Sequence, residues 1–102
     1  MKTTKELVLQ WAKDKNLLKK ENALKQYTKL QEESNELLIA ILDKDIHEQQ
    51  DALGDVLVVI TILANQLGFD IEECFDLAYN EIKNRKGRTI NGNFVKDEES
   101  KN

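Results

Sequence analysis

Five carboxylates sit in two apolar helical stretches where a simple core would carry aliphatic side chains. Glu32, Glu33 and Glu36 lie in KLQEESNELL, and Asp51 and Asp55 in QQDALGDVLVVITILA. Asp55 is the most telling. It is the only charge between Ala52 and Ala64, in a segment so apolar that its helix should be buried on nearly every face. An unpaired ionised carboxylate in such surroundings is costly and takes a partner or a metal. No lysine or arginine lies between Lys44 and Lys83. A divalent cation shared with the glutamates is the sharper expectation.

Helical geometry sets where these acids point. At about 100° per residue, Glu32, Glu33 and Glu36 share an arc of roughly 100°. That arc borders the Leu30, Leu37 and Ile41 side, with Glu33 nearest to it. Glu48, Asp51 and Asp55 line one narrow stripe of the next stretch. Packed antiparallel, the two stripes face one cleft. Two carboxylates ~5 Å apart repel by about 3 kcal/mol at an effective dielectric of ~20. Such a cluster binds protons, splays apart or takes up a cation. Hard oxygen ligands with no partnering histidine point to Mg²⁺ or Mn²⁺ rather than zinc. The acid run also fits an ordinary solvated helix face, a reading that Glu32 leaves open and that the apolar setting of Asp55 opposes.

Other chemistries fail on spacing. A di-iron bundle needs Glu-x-x-His pairs, but the only histidine, His47, has Lys44 three residues before it. An EF-hand loop from Asp43 would need glycine at its sixth position, where this chain has Glu48. His47 reads as an exposed residue at a helix start. With no Ser/His/Asp or Cys/His set, nucleophilic catalysis by the protein is unsupported.

The elements that must position these acids are helices. Thr3 and Glu6 have capping-box spacing, and a first helix runs to about Lys15 with Leu7, Val8 and Trp11 on its apolar side. A second spans roughly Glu21 to Leu42, and a third runs from Asp45, capped with Glu48, to about Gln66. A fourth opens at Asp70 and ends near Gly87, with Cys74, Leu77, Ala78 and Ile82 as its inner stripe. Asn91-Gly92 suits a small turn before a frayed end. The expected architecture is an all-α bundle of three to four helices, one domain over 1–96 with a polar tail over 97–102. A helix apolar all round needs neighbours on every side. In so small a chain a homodimer or homotetramer is the expected source of that cover.

Composition agrees. The 102 residues are 40% hydrophobic and 33% charged, with no proline and four glycines, which favours long helices over turn-rich β structure. A net charge of −4 argues against a nucleic-acid polymer or a membrane surface as partner. A single cysteine, Cys74, excludes an intramolecular disulfide and a Cys-based zinc site. No signal peptide is visible, and the longest apolar run is too short and interrupted to span a bilayer, so the cytoplasm is the expected location.

EESNELLIAI, DALGDVLVVI and then AYNEIKNRKGR together resemble the MazG-like all-α nucleotide pyrophosphohydrolases, which are related to dimeric dUTPases and phosphoribosyl-ATP pyrophosphohydrolase. The resemblance covers roughly Leu30 to Lys96. It implies Mg²⁺-dependent hydrolysis of (d)NTPs to the monophosphate and pyrophosphate, often of non-canonical nucleotides, by a dimer or tetramer around a four-helix core. Glu33 and Glu36 match the family's E-x-x-E ligands, with Glu32 as the additional acid, and Asp55 matches the Asp of its E-x-x-D. The Glu of that second motif is replaced by Ala52. Asp51, one turn before Asp55, is the expected substitute, giving Glu33, Glu36, Asp51 and Asp55 as metal ligands. Glu32 or Glu33 is the expected base. Asn80 and Lys83 resemble the family's substrate-approaching pair.

Lys83, Arg85, Lys86 and Arg88 cluster near the end of the fourth helix. They suit either phosphate binding, chiefly by Lys83 and Lys86, or simple pairing with the helix C-terminus. Trp11 and Tyr27 suit either core packing or stacking on a base. Ala52 also admits a different reading, a catalytically silent helical module that senses nucleotide or binds a protein.

Overall fold

Thr3 starts the first helix in the computed structural model, which describes residues 1–97. Its hydroxyl accepts from the Glu6 amide at 3.2 Å, and Glu6 Oε1 accepts from the Thr3 amide at 2.9 Å. The bond from the Thr3 amide, and then one that the Thr3 hydroxyl donates to Glu6 Oε1 at 3.0 Å, hold the Glu6 carboxyl below its ordinary 4.5. The helix so capped, α1, covers Thr4–Asp14. A short 3-10 turn at Lys20–Asn22 leads into α2, Ala23–Leu42. Asp45 then caps α3, Ile46–Gln66, by accepting from the Glu48 amide at 3.1 Å. Observed and expected boundaries agree closely through these three helices.

All three helices end in the same way. A residue in the left-handed region, Asn16 (φ 63°), Lys44 (φ 56°) or Gly68 (φ 89°), turns the chain back on itself. The following amide then bonds a carbonyl in the last helical turn: Leu17 to Ala12 at 2.8 Å, Asp45 to Ala40 at 3.0 Å, and Phe69 to Ala64 at 2.9 Å. This is the Schellman arrangement, which satisfies carbonyls that a helix end would otherwise strand.

The chain divides into two compact units, Met1–Ile71 and Glu72–Asn102. Of the expected polar tail, residues 98–102 lie outside those described. In the first unit α2 and α3 pack most extensively and α1 lies against α3. The sharp reversal at Lys44 makes α2 and α3 an antiparallel hairpin. Near its turn Gln49 Nε2 donates to the Ala40 carbonyl at 3.2 Å. Small side chains sit in the seam, with Ala12, Ala40, Ala52 and Ala64 buried beside Val59 and Ile62. They let the helix backbones approach closely.

Within one chain α3 is not covered on every face. Leu53 is 53% and Leu57 65% exposed. A single chain gives α3 neighbours along the faces met by α1 and α2, and its remaining apolar face stays open.

In the second unit, α4 covers Ile71–Ile82 and stops short of the expected Gly87. Gly87 instead opens β1, Gly87–Ile90, which pairs antiparallel with β2, Asn93–Lys96, in the register Gly87 to Lys96 and Ile90 to Asn93. The expected turn at Asn91-Gly92 is there, with φ of 51° and 82°, as a two-residue hairpin loop prefers. A side chain at Gly87 would collide with the Val95 carbonyl and the Phe94 ring, so the strand needs glycine there. The expected inner stripe of α4 is also corrected: Cys74 is half-buried, while Leu77, Ala78 and Ile82 are exposed. Among the described residues, no single helix is long and apolar enough to cross a membrane.

Candidate functional site

The α2–α3 hairpin brings acids from both helices together. Glu33, Glu36 and Asp55 each offer a carboxylate oxygen, and these three oxygens lie within 4.8 Å of one another. Their surroundings differ. Glu33 is buried at 7% exposure, whereas Glu36 and Asp55 are exposed. This inverts the expected roles, in which Asp55 was the buried charge. The apolar neighbours of Asp55 in sequence lie on other faces of α3, while Glu33 faces the seam itself.

Glu33 is partly compensated. Its Oε1 lies 3.4 Å from Lys29 Nζ, one turn earlier on α2, and Lys29 also lies 3.7 Å from Glu32 Oε2. The hydrogen bond to Glu33, then its charge and that of Glu32, raise the Lys29 amine above its ordinary 10.5. Glu33 Oε2 is buried with no hydrogen-bond partner among the described residues. Such an orphaned acceptor costs free energy unless something positive or donating reaches it. Hard oxygen donors, a like-charge cluster and one unsatisfied buried oxygen together fit a divalent cation.

Glu33 and Asp55 also line a cavity of about 580 Å³. Its wall includes Trp11 from α1, Lys25 and Lys29 from α2, and Val59, Ile62 and Gln66 from α3. Two cations, three acids in or beside the wall, and an aromatic ring give this hollow the parts that an anionic ligand with a flat apolar end would use. Trp11, half exposed at 51%, sits at the cavity rather than in the core.

The other expected residues distribute as follows. Asp51 is exposed and falls outside the three-acid group. Ala52 is buried at 3% and brings no oxygen. Glu32 stands beside the group, paired with Lys29. Asn80, Lys83 and Lys86 belong to the second unit, and Arg85 there pairs with Glu81 at 3.6 Å. His47 is exposed, as expected. Sequence reasoning missed Lys25 and Lys29. The signal was present, because Lys25, Lys29 and Glu33 recur at four-residue spacing and so share one face of α2.

Residues 19–89 match the MazG nucleotide pyrophosphohydrolase domain family. That span is most of the chain and contains the whole three-acid group, so the chain belongs to this family. Over 61 residues, 60% of its length, the chain is 39% identical to a protein of Haemophilus phage HP1 (strain HP1c1) described as "Uncharacterized 18.2 kDa protein in rep-hol intergenic region". The chain spans only 37% of that relative. No solved structure matches it.

Proposed function

We propose that this protein is a Mg²⁺-dependent nucleoside triphosphate pyrophosphohydrolase that converts (d)NTPs to the monophosphate and pyrophosphate. The observation that carries the reading is the buried, partnerless Glu33 Oε2 beside Glu36 and Asp55, at the wall of a cavity also lined by Trp11, Lys25 and Lys29. Membership of the family supports the same class of reaction.

Glu33, Glu36 and Asp55 would hold the cation, Mg²⁺ or Mn²⁺. When bound, it supplies positive charge against the triphosphate and Lewis acidity at the reacting phosphoryl group. Lys25 and Lys29 hold phosphate oxygens along the cavity, and Trp11 stacks on the base. Glu32, outside the three-acid group, accepts a proton from water as the water oxygen attacks the α-phosphorus. The new P–O bond forms as the bond to the bridging oxygen breaks, and pyrophosphate leaves. Cytoplasmic removal of unwanted nucleotides is the fitting role. A homodimer or homotetramer would cover Leu53 and Leu57.

The test is pyrophosphate release from a panel of (d)NTPs with Mg²⁺, repeated with Glu36→Gln and Asp55→Asn. Release by the native chain and its loss in both folded variants is expected. No release from any nucleotide would favour the silent nucleotide-sensing module, which the missing acid at Ala52 would then explain.

A further inference from the structure

A second buried polar atom belongs to the same cavity wall. Gln66, in the last turn of α3, is 3% exposed and lines the cavity alongside Trp11, Leu17, Val59 and Ile62. Its Nε2 donates to the Leu17 carbonyl at 2.7 Å. That bond fixes the amide orientation, because a carbonyl accepts only from the NH₂ end and the swapped assignment would set two acceptors against each other. Gln66 Oε1 is therefore turned away from Leu17, and it is buried without a partner among the described residues. Native chains rarely leave a side-chain carbonyl in that state. No donor among the described residues reaches it, and a ligand in the cavity can supply one.

Position says which part of the ligand. Gln66 lies eleven residues beyond Asp55 on the same helix, about 16 Å at the α-helical rise. That separation is of the order of an extended nucleotide, from its phosphates to the far edge of its base. The Gln66 end is walled by Leu17, Val59 and Ile62, where an unmet hydrogen bond discriminates strongly between ligands. Lys25, Lys29 and the acids belong to the phosphate end.

We propose that Gln66 selects the base: its Oε1 accepts a hydrogen bond from an N–H on the Watson–Crick edge while Nε2 keeps its bond to Leu17. A small turn of the amide about that bond presents Oε1 to the cavity. The donor is an exocyclic amino group or a ring N–H, and the two are separable by experiment. This inference rests on the nucleotide-binding reading above.

The chain has one tryptophan, Trp11, so quenching of its fluorescence reports occupancy of the cavity without any turnover. The probes are nucleoside monophosphates, which the proposed reaction does not consume. CMP carries an amino donor, UMP a ring N–H, and the monophosphate of pyrimidin-2-one riboside carries neither while adding no bulk. AMP against purine riboside monophosphate repeats the amino comparison on the larger ring. At least one donor-bearing base should bind about tenfold or more tightly than its donor-free counterpart. In Gln66→Met that ratio should fall to about two or less, since the variant keeps length and apolar contact but removes the acceptor.

A gain confined to CMP and AMP identifies an amino donor, and one confined to UMP identifies a ring N–H. Equal binding within every comparison overturns the proposal, as does a preference that survives in Gln66→Met. If that variant does not fold, the native comparisons alone decide. Base selection without pyrophosphate release would leave this inference standing and remove the enzymatic one. Release without base selection would do the reverse.

Discussion

Asp55 on α3 and Glu33 on α2 hold carboxylate oxygens within 4.8 Å of each other, yet only Glu33 is buried. The pair is therefore asymmetric. Asp55 can shed its repulsion into solvent, whereas Glu33 depends on Lys29 at one oxygen and meets no donor among the described residues at the other. In this geometry the buried acid controls whether the site gains by binding a cation.

Glu33→Gln should consequently remove the stabilisation by Mg²⁺. A ligand at a hundred times its Kd stabilises the folded state by about 2.7 kcal/mol. In a domain of this size that corresponds to roughly 10 °C or more in Tm. Circular dichroism melts of the native chain should rise with Mg²⁺ toward such a shift, and those of Glu33→Gln should stay flat. Equal shifts in both would show that the cation binds elsewhere.

Asp51 and Asp55 offer a sharper comparison, because both are exposed acids one turn apart on α3. Asp55 belongs to the three-acid group and Asp51 does not. Asp55→Asn should lower pyrophosphate release by about a hundredfold or more, in the range expected when charge stabilisation of a transition state is lost. Asp51→Asn should change it by less than about threefold. Comparable losses in the two variants would make Asp51 a ligand after all, recruited by a turn of its side chain.

How far the sequence carried these conclusions depends on the range of the interaction. The first three helices were legible because their caps and stops are local: Thr3 with Glu6, Asp45 with Glu48, and Gly68 at a left-handed turn. The meeting of Glu33, Glu36 and Asp55 followed from helical phase plus a short reversal. The burial of Glu33 rather than Asp55 did not, since local hydropathy cannot tell which face a partner helix covers. Gln66 was unreadable for a similar reason, because its role depends on the chain after α1 delivering the Leu17 carbonyl. The hairpin was half legible: Asn91-Gly92 announced the turn, but its strands are short and exposed on both faces and carry no alternating pattern.

The cap of α1 predicts a pH dependence of known sign. Glu6 titrates below 4.5 in the folded chain, so its contribution is fully present above that value and is lost as pH falls through the folded one. Thr3→Ala deletes the hydroxyl that accepts from the Glu6 amide and donates to the Glu6 carboxylate, a kind of loss typically worth about 1 kcal/mol. Its deficit in urea unfolding should be largest near neutrality and narrow in acid, as Glu6 protonates in the native chain. In a Glu6→Gln background the deficit should not change with pH. A deficit that widened on acidification would contradict the assigned reciprocal bonds.

Ala52 provides the most demanding test of the metal reading. The E-x-x-D of the resemblance drawn from the sequence would put a glutamate here, and the Ala52 side chain is buried at 3% exposure, three residues before Asp55 and so on a neighbouring part of the same face. Ala52→Glu would bury a fourth negative charge beside three others with no lysine on α3 to meet it. Without a cation, an uncompensated buried charge costs about 3–5 kcal/mol, a large part of the stability of a small domain. Ala52→Gln supplies the same bulk without the charge and separates overpacking from electrostatics. The metal-free Ala52→Glu chain should melt well below Ala52→Gln, and Mg²⁺ should close most of that gap because the added acid becomes a ligand. If the two variants melt together, or if Mg²⁺ leaves the gap unchanged, the seam at Ala52 does not face a cation site.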